Sequence, residues 1–123
     1  MLLTIEKKSI SPDITVLDIA GKITLGRDCK ELEWAVNDLL ANNSRKVILD
    51  LADVTFMDST GIGILVMCSG ALRSAGGELR VSGTKGMVDD VLRKTKINAI
   101  IPFHSTTEDA ARSFGNTSAM GAA

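Results

Sequence analysis

Val47-Ile48-Leu49-Asp50-Leu51 is a short, almost unbroken apolar run. A run of that length without alternation suits a strand covered on both faces. Such a strand needs helices on either side of its sheet, and the rest of the chain has the periodicity to supply them. Cys29, Leu32, Ala35, Val36, Leu39 and Leu40 recur at spacings of three and four, with Lys30, Glu31, Glu33, Asn37 and Asp38 on the other side. This is an amphipathic helix, stopped by Asn42-Asn43-Ser44. A second helix runs from about Thr60 to Ala75 and ends at Gly76-Gly77, as glycine ends helices.

Upstream, Leu2 to Ile10 and Ile14 to Ala20 are β-rich runs joined by the turn signal Ser11-Pro12-Asp13, which together read as a hairpin closed off by Gly21. In the second run Ile14 and Val16 alternate and Ile19 breaks phase. Downstream, Leu79-Arg80-Val81-Ser82 is a strand. Met87, Val88, Val91, Leu92 and Thr95 mark a third helix, and Ile97 to Phe103 is a last strand-like run. Ser105-Thr106-Thr107-Glu108 forms a capping box for a final helix through Phe114. The order ββαβαβαβα predicts a single α/β domain over residues 1–114. Its sheet is mixed but mostly parallel, with helices packed on it and one antiparallel strand from the hairpin. Residues 115–123 are small and polar and read as a flexible tail.

The bulk numbers exclude several classes. With 14 basic against 15 acidic residues the formal net charge is -1, which lacks the basic excess of a nucleic-acid binder. Aromatic residues make up 3% and Tyr is absent, so stacking platforms for bases are not expected. No apolar run is long enough to cross a bilayer, and Met1 to Glu6 lacks the pattern of a signal peptide; a cytoplasmic protein without membrane insertion is expected. Cys29 and Cys68 fall in helical segments and read as small buried apolar groups. His104 is the one histidine. It has no companion ligands for a metal and reads as a loop residue. No metal and no cofactor is expected.

The apolar run leads through Ala52 to Met57, read as a loop, into Asp58-Ser59-Thr60-Gly61-Ile62-Gly63. Two hydroxyls and a carboxylate therefore crowd a helix N-terminus, where unpaired backbone N–H groups and the helix dipole favour negative charge. A serine there can cap the helix, act as a nucleophile or accept a phosphate. For the nucleophile, the Gly-x-Ser-x-Gly elbow is missing because residue 57 is Met. Asp58 is badly placed as a base for its neighbour, and nothing brings His104 to Ser59; no enzyme is expected. Gly61-Ile62-Gly63 fails the dinucleotide fingerprint because residue 66 is Val. Gly83-Thr84-Lys85-Gly86 lacks the Gly-Lys-Ser/Thr ending of a phosphate loop.

Helical geometry puts Gly61, Ile64, Leu65, Cys68, Ala71, Leu72 and Ala75 on the core side of this second helix. Gly63, Val66, Met67, Gly70, Arg73 and Ser74 then point outward. Two glycines and two apolar side chains on an outward face mark a docking surface, unless another part of the chain covers it. A phosphate on Ser59 would place roughly -1.5 to -2 charges at the edge of that surface.

Asp58-Ser59-Thr60-Gly61-Ile62-Gly63, with Leu49-Asp50-Leu51 and Val54-x-Phe56 upstream, resembles the signature of STAS-domain anti-sigma-factor antagonists. The likeness extends over the hairpin, the first helix and Leu79-Arg80-Val81. It implies that Ser59 is the phosphoacceptor of an ATP-dependent serine kinase that is itself the anti-sigma factor, and that a phosphatase resets it. The unphosphorylated protein would then sequester the kinase. Asp58 would hold the loop or face the kinase. The partner contacts expected around Ser59 are Asp58, Thr60, Gly61, Gly63, Val66, Met67, Gly70 and, from a loop that the resemblance places nearby, Thr24. That loop departs from the family: Gly21-Lys22-Ile23-Thr24 stands where Gly-Glu-x-Asp is frequent. Lys22 and Arg27 become candidates to pair with a phosphate. The alternative is an unphosphorylated STAS interaction subunit of a transport or signalling complex, which would use the same helix face.

Overall fold

The computed structural model describes residues 3–122, with side chains as far as Phe114. The elements are β1 (Thr4–Ile10), β2 (Ile14–Ile23), α1 (Arg27–Ala41), β3 (Lys46–Met57), α2 (Ser59–Ser74), β4 (Glu78–Ser82), α3 (Gly86–Lys94), a 3-10 turn (Ile97–Ala99), β5 (Phe103–His104) and α4 (Thr107–Ala122). Strands β1 to β5 lie side by side in chain order. The β1–β2 pair is antiparallel and the others are parallel. The order ββαβαβαβα and the mixed sheet are as expected.

Each sheet face has its own core. Leu17, Ile19, Val47, Leu49, Leu51, Leu79 and Val81 pack with Leu32, Val36, Leu65, Leu72, Val88 and Leu92 of α1, α2 and α3. Ile14, Val16 and Ile48 pack under α4 against Ala110 and Phe114. Because β2 and β3 are covered twice, both parities of residue are apolar. This is why Ile19 breaks the alternation of Ile14 and Val16: the two sets face different helical layers. The Arg80 guanidinium lies on the α4 side, 4.6 Å from the centroid of the Phe114 ring; its ion pair with Glu78 and this cation–π contact together let a charge sit under a helix.

The structure corrects several expected boundaries. The segment Ala52–Met57 is strand, not loop: β3 runs for twelve residues. Past Asp50 it has lost β4 and keeps only β2, with pairs Gly21↔Val54 and Ile23↔Met57. Gly21 accordingly lies inside β2. The run from Ile97 to Phe103 is mostly a turn, because Ile97 and Ile101 bury as anchors while Lys96 takes φ 61° and breaks any extended path. Only Phe103 and His104 pair with β4. His104 is a half-buried strand residue, with Nε2 3.5 Å from Ser113 Oγ of α4. The final helix is capped by Thr106, whose Oγ1 accepts from Asp109 N at 3.1 Å. Its backbone continues to Ala122, beyond the Phe114 expected. The side chains of the expected tail, 115–123, lie outside the described residues. Among the described residues no helix is long and apolar enough to cross a membrane.

Candidate functional site

Asp58 organises the site. β3 delivers it in extended conformation, with φ -95°, as the N-cap of α2. Its Oδ1 accepts Gly61 N at 2.9 Å, the ordinary way an Asp satisfies an orphan donor of the first turn. Its Oδ2 accepts Leu25 N at 2.9 Å from the loop between β2 and α1. Its own N–H donates to Ile23 O at 3.2 Å. One carboxylate thus ties the end of β2, the entry to α1 and the start of α2 into a single corner. The hydrogen bonds from Gly61 and then Leu25 hold the Asp58 carboxyl below its ordinary range, because they favour the charged form.

Ser59 is the first residue of α2 and is exposed. Among the described residues its hydroxyl has no hydrogen-bond partner. Capping falls to Asp58, so Ser59 is not needed to start the helix. Nor is a base within reach, since His104 sits on the α4 side of the sheet and α2 on the other. Burial lowers the His104 pKa, with the nearby Arg80 acting in the same direction.

Gly61 is an internal fitting, and half-buried Thr24 also serves the fold. Thr24 Oγ1 donates to Asp28 Oδ2 at 2.9 Å, across the start of α1. Gly61, expected among partner contacts, is buried. A Cβ there would lie 2.8 Å from Ile23 O and 2.8 Å from Met57 Cγ, so glycine lets α2 close onto β2 and β3. Thr60 is half-buried beside it.

Further along α2, Gly63 and Gly70 are exposed, and a Cβ at either would meet nothing within 4 Å. The fold gives no reason for glycine at these two helical positions, each of which costs about 1 kcal/mol against Ala. Met67 is 57% exposed between them. Val66 is half-buried and packs against the main core, so it only borders the open face. Two positions expected on the core side, Ala71 and Ala75, are exposed, while Ser69, assigned to neither side, is buried. Ile64 is half-buried.

Sequence reasoning missed Leu25. It is 75% exposed on the loop that Asp58 fastens, and a single apolar residue between Thr24 and Gly26 carries no periodic signal. Of the two candidate cations, Arg27 pairs with Glu31 on α1 at 3.3 Å. Lys22 is exposed and, among the described residues, makes no ion pair. Among those residues no group of acidic, His or Cys side chains could hold a metal ion.

The site thus places an accessible hydroxyl at a helix start beside an exposed helix face, on a sheet that defines an α/β domain. A family model described as the STAS domain matches residues 7–110, and the chain belongs to that family. A Thermotoga maritima protein carrying the name anti-sigma factor antagonist is 27% identical over 78 residues, 63% of this chain and 69% of its own. The crystal structure of the Thermotoga maritima protein TM1081 superimposes with a TM-score of 0.81 at 22% identity, covering 89% of this chain and 92% of that one. One from Mycobacterium paratuberculosis also gives 0.81 at 22% identity, over 91% and 93% of the two chains. The Bacillus cell fate determinant SpoIIAA in its phosphorylated form gives 0.69 at 13% identity, over 89% and 99%. At these identities the solved structures establish the fold.

Proposed function

We propose that this STAS domain is an anti-sigma factor antagonist whose docking is switched by phosphorylation of Ser59. The observation that carries the reading is the exposed, unpartnered Ser59 hydroxyl at the start of α2, bordering the open face of Gly63, Met67 and Gly70. The names of its relatives support the class of partner, and a phosphorylated SpoIIAA of the same fold supports the chemistry. The partner is an anti-sigma factor that is also an ATP-dependent serine kinase; a phosphatase reverses the modification. The protein acts in the cytoplasm as substrate and binding partner, not as catalyst.

The physics of the switch is local. A phosphate on Ser59 adds roughly -1.5 to -2 charges. The dipole at the start of α2 favours that charge and the exposed Ser59 side chain carries it into solvent, so the fold persists. A partner lying on Gly63 and Met67 would have to desolvate the phosphate, at a cost of several kcal/mol unless it offers matching cations. A loss of ~4 kcal/mol weakens binding about a thousandfold.

The test is intact-mass analysis after incubation with an anti-sigma serine kinase from the same source and ATP, followed by peptide mapping. One phosphate, on Ser59, is the expected result. No incorporation, or incorporation at another residue, overturns the reading.

A further inference from the structure

The sheet has two edges of very different kind. β5 contributes two residues, while β1 offers seven, Thr4 to Ile10, paired on one side only. An open edge of that length is a template for another strand. Side chains of β1 alternate between the faces. Ile5 and Lys7 face α1 and, with Trp34, Ala35 and Leu39, line an open cleft of about 500 Å³. Trp34 is 63% exposed at its rim, the most exposed aromatic side chain among the large hydrophobics. Glu6 and Lys8 point to the other face, where Lys8 Nζ lies 3.0 Å from Asp18 Oδ2.

We infer that β1 pairs antiparallel with β1 of a second copy of this chain, about a two-fold axis through Lys7, to form one continuous sheet. A two-fold axis normal to the sheet keeps every side chain on its own face, so a residue at the centre must stand opposite itself. Centring on Glu6 sets Glu6 against itself and Thr4 against Lys8. Centring on Lys8 sets Lys8 against itself and Glu6 against Ile10. Centring on Lys7 sets Glu6 of each copy against Lys8 of the other, two opposite-charge pairs on one face. The one like-charge pair, Lys7 with its mate, then falls in the cleft beside Glu31 and Asp38 of both copies, which line that cleft with it. Lysines on an edge strand ordinarily repel other strands; here the same strand carries their complement. The arrangement also closes the cleft over Trp34 with its symmetry mate, giving the aromatic anchor typical of an interface centre. It leaves α2 and Ser59 free, since α2 packs over β3 and β4.

The test uses the whole chain, with sedimentation and light scattering across concentration and cysteine cross-linking under mild oxidant. Cys29 and Cys68 are buried and leave the background clean. The expected results are a dimer, a disulfide-linked dimer from Lys7→Cys, and none from Glu6→Cys or Lys8→Cys alone, whereas the Glu6→Cys/Lys8→Cys double variant cross-links. Glu6→Lys abolishes the dimer, and adding Lys8→Glu restores it. Residues 6 to 8 are exposed, and circular dichroism confirms that each variant is folded. A monomer up to the solubility limit, cross-linking at position 6 or 8 alone, or a dimer indifferent to Glu6→Lys overturns the proposal.

Discussion

Leu25 N lies 2.9 Å from Asp58 Oδ2, joining two residues 33 positions apart. Through this bond the loop that presents Leu25 is fixed to the start of the helix that presents Ser59. Asp58→Ala removes the acceptor for both Leu25 N and Gly61 N and lowers the melting temperature, while Asp58→Asn keeps part of the acceptor set and falls between. The Asp58 carboxyl is held below its ordinary range in the fold. Its contribution is therefore complete above the unfolded carboxylate range, near about pH 4, and is lost as pH falls through the lower folded value. Thermal melts of wild type and Asp58→Asn against pH check this: their curves converge in acid and separate toward neutrality. Parallel curves down to the acid limit contradict it.

Ser59 and Met67 separate a charge switch from a plain contact surface. Ser59→Ala keeps affinity for the kinase partner, and Ser59→Asp loses about tenfold or more, the fraction of a full phosphate effect that one charge can supply. Met67→Glu also loses binding, because it puts a charge on the open face. Calorimetry on the four proteins reads this directly. Loss with Met67→Glu but none with Ser59→Asp identifies the unphosphorylated interaction subunit instead.

Two glycines of α2 should respond to the same substitution with opposite signs. Gly61→Ala drives a methyl into Ile23 O and Met57 Cγ and destabilises by about 1–3 kcal/mol, the usual cost of overpacking. Gly63→Ala meets open space and stabilises by about 0.5–1 kcal/mol through backbone entropy and helix propensity. Denaturant titration gives both values. If Gly63→Ala also weakens the partner complex, glycine is retained there for docking and not for folding.

Burial governs the thiols. It raises the Cys29 pKa, helped by Asp58 and Asp28, and pushes Cys68 up to about 12. Neither forms appreciable thiolate near neutrality, and thiolate is the reactive species. A chromogenic disulfide reagent at pH 8 should therefore label neither cysteine in the native protein and both after denaturation. Fast native labelling of Cys68 would show that α2 opens locally.

The element order could be read from the chain because each element carries its own period and punctuation. Val47 to Leu51 announces a doubly covered strand, and Gly76-Gly77 closes a helix. The far half of β3 could not be read in this way. It is a ribbon paired with β2 alone, where buried Val54 and Met57 alternate with exposed Asp53, Thr55 and Phe56, so its polar residues imitate a loop. Ile97 and Ile101 imitate a strand because both are buried, although a turn delivers them. At the site, the helix start at Asp58-Ser59 was legible because capping chemistry is local. Leu25 was not, because what makes it matter is a hydrogen bond to a residue in another element. The close approach at Gly61 was equally hidden, since it depends on where Ile23 and Met57 come to rest.

The seven residues by which β3 outruns β4 lift Ser59 onto a promontory. A headland suits the broad surface of a larger protein, and the clefts beside Trp34 and beneath Thr107 are lined by other residues. A compound meant to interrupt docking at this serine gains nothing by filling either of those two clefts, and the better target is the concave surface of the partner proposed to close around it.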